Sequence, residues 1–430
     1  MKVAFLTLGC KVNKYEADLL KEKFEEKGHI IVPFESHADM YVISSCSVTN
    51  MSDRKTRQMI SKAVKQNEKA IIAILGCGVE SNKEDETAFD RANIMLGNHN
   101  KLDLLEVTEK YLKDNNKKQI KVEDISKVKR YKNAGCLNKG TDIRQAIKIE
   151  DGCNNFCSYC IIPYIRGRVR SRELEEIKKE ATNLGKNGVR ELVLVGIEVA
   201  SYGMDLDGET LFDVLDILEN TKGIYRVRLS SMEPRFLTEN NIKELSGYTK
   251  LCPHFHLSMQ SGNNGTLKRM NRKYTKEDLI VVCNNIRKYF KDPYLATDII
   301  VGFPGETDEE FLDTIDTIEK MELTEIHVFK YSKRKYTVAS RMDGQVDGNI
   351  KNTRSNVIIN KSNESKTKYL EKYIGTKVQV LFENYKNGKL IGLTPNYMKV
   401  EVEGEEKLCG TVQDVVVISL KKDILQGNLD

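Results

Sequence analysis

Strand-length apolar runs alternate with helical patterns in two separate series along this chain, and that alternation restricts the fold more than any other feature. It favours parallel sheets with helices packed on their faces. In the first series VAFLTL, MYVISS and AIIAIL read as strands, and KYEADLLKEKFEEKG has helical spacing closed by glycine. In the second, QAIKIE, RELVLVG, YRVRLS, HFHLS, YLATDIIVG and EIHVFK are strand-like. Helical patterns such as SRELEEIKKEATNLGKNG, TKEDLIVVCNNIRKYF and TDEEFLDTIDTIEKM separate most of them. Six βα units are too few for a closed eightfold barrel, so an open, partial (β/α)6 barrel is expected. A charged helical pattern around 350–372 then leads to TKVQVLFEN, GKLIGLT, NYMKVEVEG and TVQDVVVISL, whose tight spacing predicts a small β-barrel.

The fold class is therefore α/β, in three units that suit a length of 430 residues at roughly 150 residues per domain. Residues 1–112 form a doubly wound parallel-sheet domain, and the polar, lysine-rich 113–140 a linker. The partial barrel occupies 141–365 and the small β-barrel 366–430. No window approaches the ~20 apolar residues a membrane span needs. The N-terminal MKVAFLTLGCKVNKYEADLL reads as a strand and helix rather than a signal peptide. A cytoplasmic protein with no membrane partner is expected. Ten cysteines are too sparse here for a secreted disulfide scaffold, and clustered ones then point to metal or chemistry.

Three of them crowd into DGCNNFCSYC, at Cys153, Cys157 and Cys160, just past the strand QAIKIE. Barrel enzymes keep their chemistry at that carboxyl end. A [4Fe–4S] cluster is usually held by four thiolates. With three, one iron keeps a position open for a substrate or cofactor. The rival is a structural zinc loop, but such sites are closed by four ligands, and the nearest histidines, His99 and His254, are remote. Cys10, Cys46 and Cys77 stand far apart in sequence, yet each comes just beyond a strand of the first series. Residues beyond the carboxyl ends of neighbouring parallel strands converge in one crevice. A second cluster and three buried structural cysteines both remain open readings of that trio. Cys136, Cys252, Cys283 and Cys409 lack partner spacing and read as core or bystander residues.

The C-x3-C-x2-C loop with Tyr159 before its last cysteine resembles that of the radical S-adenosylmethionine enzymes. The resemblance implies a [4Fe–4S] cluster on Cys153, Cys157 and Cys160 that binds S-adenosylmethionine and generates a 5′-deoxyadenosyl radical. It places Tyr159 near the adenine. GIEVASYG, SSMEP, SMQSG and DIIVGFPGET would line the same rim, with Ser230, Glu233, Gln260 and Asp298 as candidate polar contacts to cofactor or substrate. Gly302, Pro304 and Gly305 also read as plain turn formers. Two such cysteine trios followed by a small barrel resemble the methylthiotransferases, whose tail barrel is the RNA-binding TRAM module. That likeness implies a second [4Fe–4S] cluster on Cys10, Cys46 and Cys77, carrying the sulfur to be transferred. LGCKVNKYEAD and SCSVTN, with CIIPYIRGRVRSR, LSSMEP, PHFHLSMQSG, LKRMNRKYT and HVFKYSKR, are most similar to the branch acting on N6-threonylcarbamoyladenosine-37 of tRNA. The implied partners are the anticodon loops of ANN-decoding tRNAs, an electron donor and a sulfur source; no residue identifies the last two. Val195, Glu198 and Tyr336 depart from the family pattern, as does GCGVESN after Cys77. Related chemistry on isopentenyladenosine or a protein aspartate is the nearest alternative; a non-catalytic iron–sulfur or zinc RNA-binding protein is the remoter one.

A net charge of +5 is mild, so an acidic partner must be argued from where charge lies. Arg166, Arg168, Arg170 and Arg172, then Lys268, Arg269, Arg272 and Lys273, then Lys330, Lys333, Arg334 and Lys335 all follow barrel strands. Together they predict a basic mouth that attracts phosphates. Tyr274 and Tyr331 are expected to offer stacking faces for unpaired bases.

Overall fold

The computed structural model describes residues 1–47, 50–85, 89–133, 135–140 and 142–430. Val48 and Thr49, part of the SCSVTN likeness, lie outside them. The first unit runs β1 (Lys2–Thr7), α1 (Lys11–Glu26), β2 (Ile30–Val32), β3 (Met40–Ser45), α2 (Asn50–Gln66), β4 (Ile71–Gly76), α3 (Cys77–Ser81), β5 (Ile94–Leu96), α4 (Leu104–Lys113) and β6 (Gln119–Lys121). All pairings are parallel, in the order β2-β1-β3-β4-β5-β6. Every residue of β3 and β4 is buried, because helices cover both faces of such a sheet. The stretch read as a linker supplies the edge strand β6, so the sheet reaches beyond residue 112.

The second unit opens with β7 (Arg144–Lys148), β8 (Glu150–Asp151), α5 (Ile162–Ile165) and β9 (Arg170–Ser171). It continues through α6 (Leu174–Lys186), β10 (Glu191–Val195), α7 (Leu211–Glu219), β11 (Arg226–Leu229) and α8 (Glu239–Leu245). Then come β12 (His254–Gln260), α9 (Asn264–Arg269), α10 (Lys276–Tyr289), β13 (Tyr294–Val301), α11 (Asp308–Met321) and β14 (Glu325–Lys330). β11-β10-β7 and β12-β13-β14 are two parallel halves, joined where Val227 bridges Leu251 and Met232 bridges Leu257. The result is the expected six-stranded partial barrel. Its outer helices start where the sequence caps them: Thr275 with Asp278 and Thr307 with Glu310 form capping boxes.

Helix α12 (Gly348–Glu371) packs on β14 and runs through residue 365, where a boundary was expected. The tail, β15 (Lys377–Lys386), β16 (Lys389–Leu393), β17 (Lys399–Glu403), β18 (Val412–Lys421) and β19 (Ile424–Leu429), closes as β15-β16-β17-β19-β18. β19 adds a fifth strand to the four read from sequence. This small barrel seals the floor of the large one. Arg226 donates to Leu393 O at 2.7 Å, and the Arg228 guanidinium lies 4.8 Å from the Tyr397 ring centroid.

The first unit docks on the second through charge. Lys148 of β7 lies 2.7 Å from Glu16 of α1 and 2.6 Å from Asp151, and Lys101 lies 2.5 Å from Glu16. Arg166 reaches Asp151 at 2.9 Å and Asn13 at 2.7 Å. All these groups are buried. Removing one partner of a buried network strands the other charges at a cost of roughly 3–5 kcal/mol. Lys148→Met should therefore lower stability by about that amount in the first urea transition; a loss under about 1 kcal/mol would contradict the docking account.

Candidate cysteine-lined active site

Three neighbouring strands deliver the first trio. Cys10 caps α1 after β1, Cys46 follows β3, and Cys77 opens α3 directly after β4. These strands are adjacent in the sheet, at a spacing of about 4.8 Å. Gly9, at φ +103°, lets the chain pass so close that an added Cβ would sit 2.9 Å from Cys46 Cβ and 3.0 Å from its Sγ. The Arg166 guanidinium feels both Cys77 and Cys10. Cys77 packs with Ile161 and Ile165, which follow the barrel cysteines, and Asn98 ties the two units by donating to Ile165 O at 2.7 Å.

The second trio sits on the loop between β8 and α5. Cys153 N–H bonds Gly167 O at 3.0 Å, Cys160 N–H bonds Cys157 O at 2.9 Å, and Phe156 turns the loop with φ +47°. Burial, reinforced by the neighbouring thiols, pushes Cys153 and Cys160 up to about 12, so iron must displace their protons. Arg272 donates to Cys157 Sγ at 3.1 Å. Among the described residues, neither cysteine trio converges within the 4.8 Å that donors to a single ion need. A caged zinc therefore fits poorly, whereas the wider faces of an iron–sulfur cube suit three spread thiolates.

A chain of acids backs this loop. Arg272 lies 2.7 Å from Glu233; Glu233 N–H donates to Glu198 at 3.0 Å; Glu198 N–H donates to Glu150 at 2.6 Å. Burial, then the Glu233 charge, raises Glu198 to about 7, and burial raises Glu150 to about 8. Departure from the family pattern at Glu198 thus has a structural context: its carboxyl holds the Glu233 backbone. The sequence marked Arg272 only as basic and Glu150 not at all; only folding shows them joined.

The other candidates disperse. Tyr159 packs edge-on to Phe303, with ring centroids 6.5 Å apart. Ser230 follows β11, its N–H bonded to Leu194 O. Gln260 ends β12 at φ +69° beside a register shift. Asp298 faces His256 at 3.0 Å and His327 at 3.7 Å. Val195 is buried in β10, and Tyr336 bonds Glu84 at 2.8 Å.

The basic mouth is smaller than the sequence suggested. Arg166, Arg170 and Arg172 are buried; Arg166 serves the docking network and Arg172 pairs with Glu180 at 2.5 Å. Arg272 and Arg334 are buried too, and Arg269 pairs with Glu310. Arg168, Lys268, Lys273, Lys330, Lys333 and Lys335 remain exposed. Tyr274 and Tyr331 are buried, the former with its hydroxyl bonded to Ser258 O, so neither offers an open ring to a base.

Residues 147–318 match the radical SAM superfamily, and residues 2–97 match the uncharacterized protein family UPF0004. A threonylcarbamoyladenosine tRNA methylthiotransferase of Bacillus subtilis is 37% identical, covering 97% of this chain and 93% of its own. This chain belongs to the radical SAM tRNA methylthiotransferases. A tRNA-2-methylthio-N(6)-dimethylallyladenosine synthase of Alkaliphilus oremlandii is 34% identical over 100% of this chain and 92% of its own. The methyltransferase TsrM from Kitasatospora setae, solved with a S-adenosylmethionine analogue, shares the fold at TM-score 0.57 and 14% identity, over 79% of this chain and 75% of that one. Among the described residues, no helix is long and apolar enough to cross a membrane.

In this methylthiotransferase the raised Glu198 carboxyl binds a proton when folded that the unfolded chain has released above its ordinary value of 4.5. Its unfavourable charge is absent near pH 4.5 and complete above about 7. Glu198→Gln keeps the acceptor for Glu233 N–H without the charge. In metal-free protein it should gain up to about 3 kcal/mol over the parent as pH rises from about 5 to 8.5. A gain independent of pH in paired unfolding curves would refute the assignment.

Proposed function

We propose that this methylthiotransferase converts N6-threonylcarbamoyladenosine at position 37 of tRNA to its 2-methylthio derivative. Cys153, Cys157 and Cys160 would hold the cluster that binds S-adenosylmethionine, and Cys10, Cys46 and Cys77 the second. When bound, these groups supply one-electron cleavage of the sulfonium and the sulfur that is transferred. Arg272 fixes the Cys157 side chain by donating to its Sγ, and Arg166 sets positive charge beside Cys10 and Cys77. Asn98 and the isoleucines around Cys77 help keep water from the space between the trios. Exposed Arg168, Lys268, Lys273 and Lys333 would take the phosphates of an anticodon loop, whose unpaired base can leave its stack. The ANN-decoding tRNAs are its expected substrates; the electron donor and sulfur source stand unassigned.

Lys11 carries the choice of base. It follows Cys10 and is solvent-accessible, yet its ammonium is desolvated and interacts with Tyr397 of the tail and with Arg144, Arg228 and Asp298 of the large barrel. A lysine that is both solvent-accessible and desolvated would stand in a recess near those groups. Arg144 and Arg228 are paired with Glu383 and Glu191, whereas Lys11 forms no ion pair among the described residues. A threonylcarbamoyl group brings a carboxylate to such a cation, while a dimethylallyl group brings only hydrocarbon. The name of the Bacillus relative supports the same choice, and the Alkaliphilus relative's name supports the second reading.

Nucleoside mass spectrometry of tRNA incubated with anaerobically reconstituted enzyme tests the reading: the threonylcarbamoyl nucleoside should gain the methylthio mass, and modification of isopentenyladenosine instead would overturn it. The reconstituted chain should hold about eight irons, of which replacing Cys10, Cys46 and Cys77 by alanine removes about half; full retention would refute the second ligand set. Lys11→Met should lower kcat/KM on threonylcarbamoyl-bearing RNA by roughly 10- to 100-fold, with Lys11→Arg nearer the parent. Equal rates for Lys11→Met and parent would remove Lys11 from substrate recognition.

A further inference from the structure

His256 on β12, Asp298 on β13 and His327 on β14 project from one face of three neighbouring strands, 42 and 29 residues apart in sequence. The opposite face, with Phe255, Leu257, Ile299 and Val301, packs beneath the outer helices. One donor atom from each of the three lies within 4.8 Å of the others. His256 Nε2 is 3.0 Å from Asp298 Oδ1, and His327 Nδ1 is 3.7 Å from the same oxygen. The shorter contact is not a hydrogen bond, because Nε2 is buried and lacks a partner in hydrogen-bonding geometry. An orphaned ring nitrogen beside a carboxylate oxygen, aimed off its axis, is what two ligands of a common ion look like without the ion. Donors about 2.1 Å from one ion stand roughly 3.0 Å apart at a right angle and roughly 3.6 Å apart at 120°. Both separations match.

The surroundings also fit. His327 Nε2 faces Glu325 at 3.7 Å, and Glu325 is fixed by Tyr294 at 2.9 Å and Lys366 at 2.8 Å. Metal-bound imidazoles commonly have their far nitrogen oriented by such a carboxylate. His327 and Glu325 line a cavity of about 740 Å³ between the large barrel and the tail barrel, which gives an ion room for exchangeable ligands.

We propose that His256, Asp298 and His327 form a binding site for one divalent transition-metal ion of zinc's class, separate from both cysteine trios. Two imidazoles and one carboxylate give a borderline donor set that leaves positions open toward the cavity. The site gives Asp298 a role different from the cofactor contact expected of it, and it goes beyond the proposed reaction.

The test uses cluster-reconstituted enzyme dialysed against a slight excess of Zn²⁺ and then against metal-free buffer. Metal analysis should find about one zinc beside the full iron complement, and the zinc X-ray absorption edge should show nitrogen and oxygen neighbours with imidazole scattering. The double variant His256→Ala, His327→Ala should lose the zinc and keep its iron. His327→Gln, at a side chain 46% exposed and so tolerant of change, should weaken zinc binding at least tenfold if the double variant does not fold. No zinc retained by the parent, a sulfur shell around it, or zinc binding unchanged in His327→Gln would each overturn the site.

Discussion

Everything at the catalytic end depends on a buried cluster of opposite charges where α1 meets β7 and β8. Glu16 alone faces Lys101, Lys148 and Arg166, and Asp151 faces Lys148 and Arg166. Such a network is weak as a source of stability, since desolvating each ion costs as much as pairing returns. Its value is register. The charges match only when α1 sits at one place on β7, and Cys10 is the residue that begins α1. A shift of one helical turn, about 5.4 Å, would carry the first unit's cysteines along the barrel and separate Glu16 from Lys148 and Arg166. The first unit is thereby held with Cys77 packed against Ile161 and Ile165, just past the cysteine loop of the second.

Much of this was readable from residue order, for physical reasons. Parallel strands buried on both faces announce themselves as unbroken apolar runs, as β3 and β4 do, while most barrel strands were legible by apolar residues alternating with the polar ones of the inner face. The cysteines stood out because each follows such a run. The short strands were not legible: β5 and the two edge strands β2 and β6 hold three residues each, too few for a pattern, and β6 lies in a lysine-rich stretch that reads as linker. β19, ILQGNL, escaped because glycine and asparagine dilute its alternation.

Charge was the least legible quantity. Arginines in GRVRSR look the same in sequence whether they greet phosphate or hold a protein interior together, and the fold assigns Arg166, Arg170 and Arg172 to the interior. The reverse holds for Lys11, which reads as an ordinary surface lysine yet has a desolvated ammonium near Tyr397 and Asp298 and forms no ion pair among the described residues. His256, Asp298 and His327 come from three separate strands, so no spacing could have joined them. On the proposed reading the labour divides simply: cysteines would hold the reactive groups, buried arginines fix the scaffold, and exposed cations would meet an anionic substrate.

The central claim is that docking places the two cysteine trios on facing walls of one space. Electron paramagnetic resonance of the fully reduced, two-cluster enzyme measures that directly. Two reduced clusters held on those walls should show spin–spin broadening and mutually accelerated relaxation, both lost when only one trio is filled. A spectrum equal to the sum of the two separately loaded sites would contradict the account.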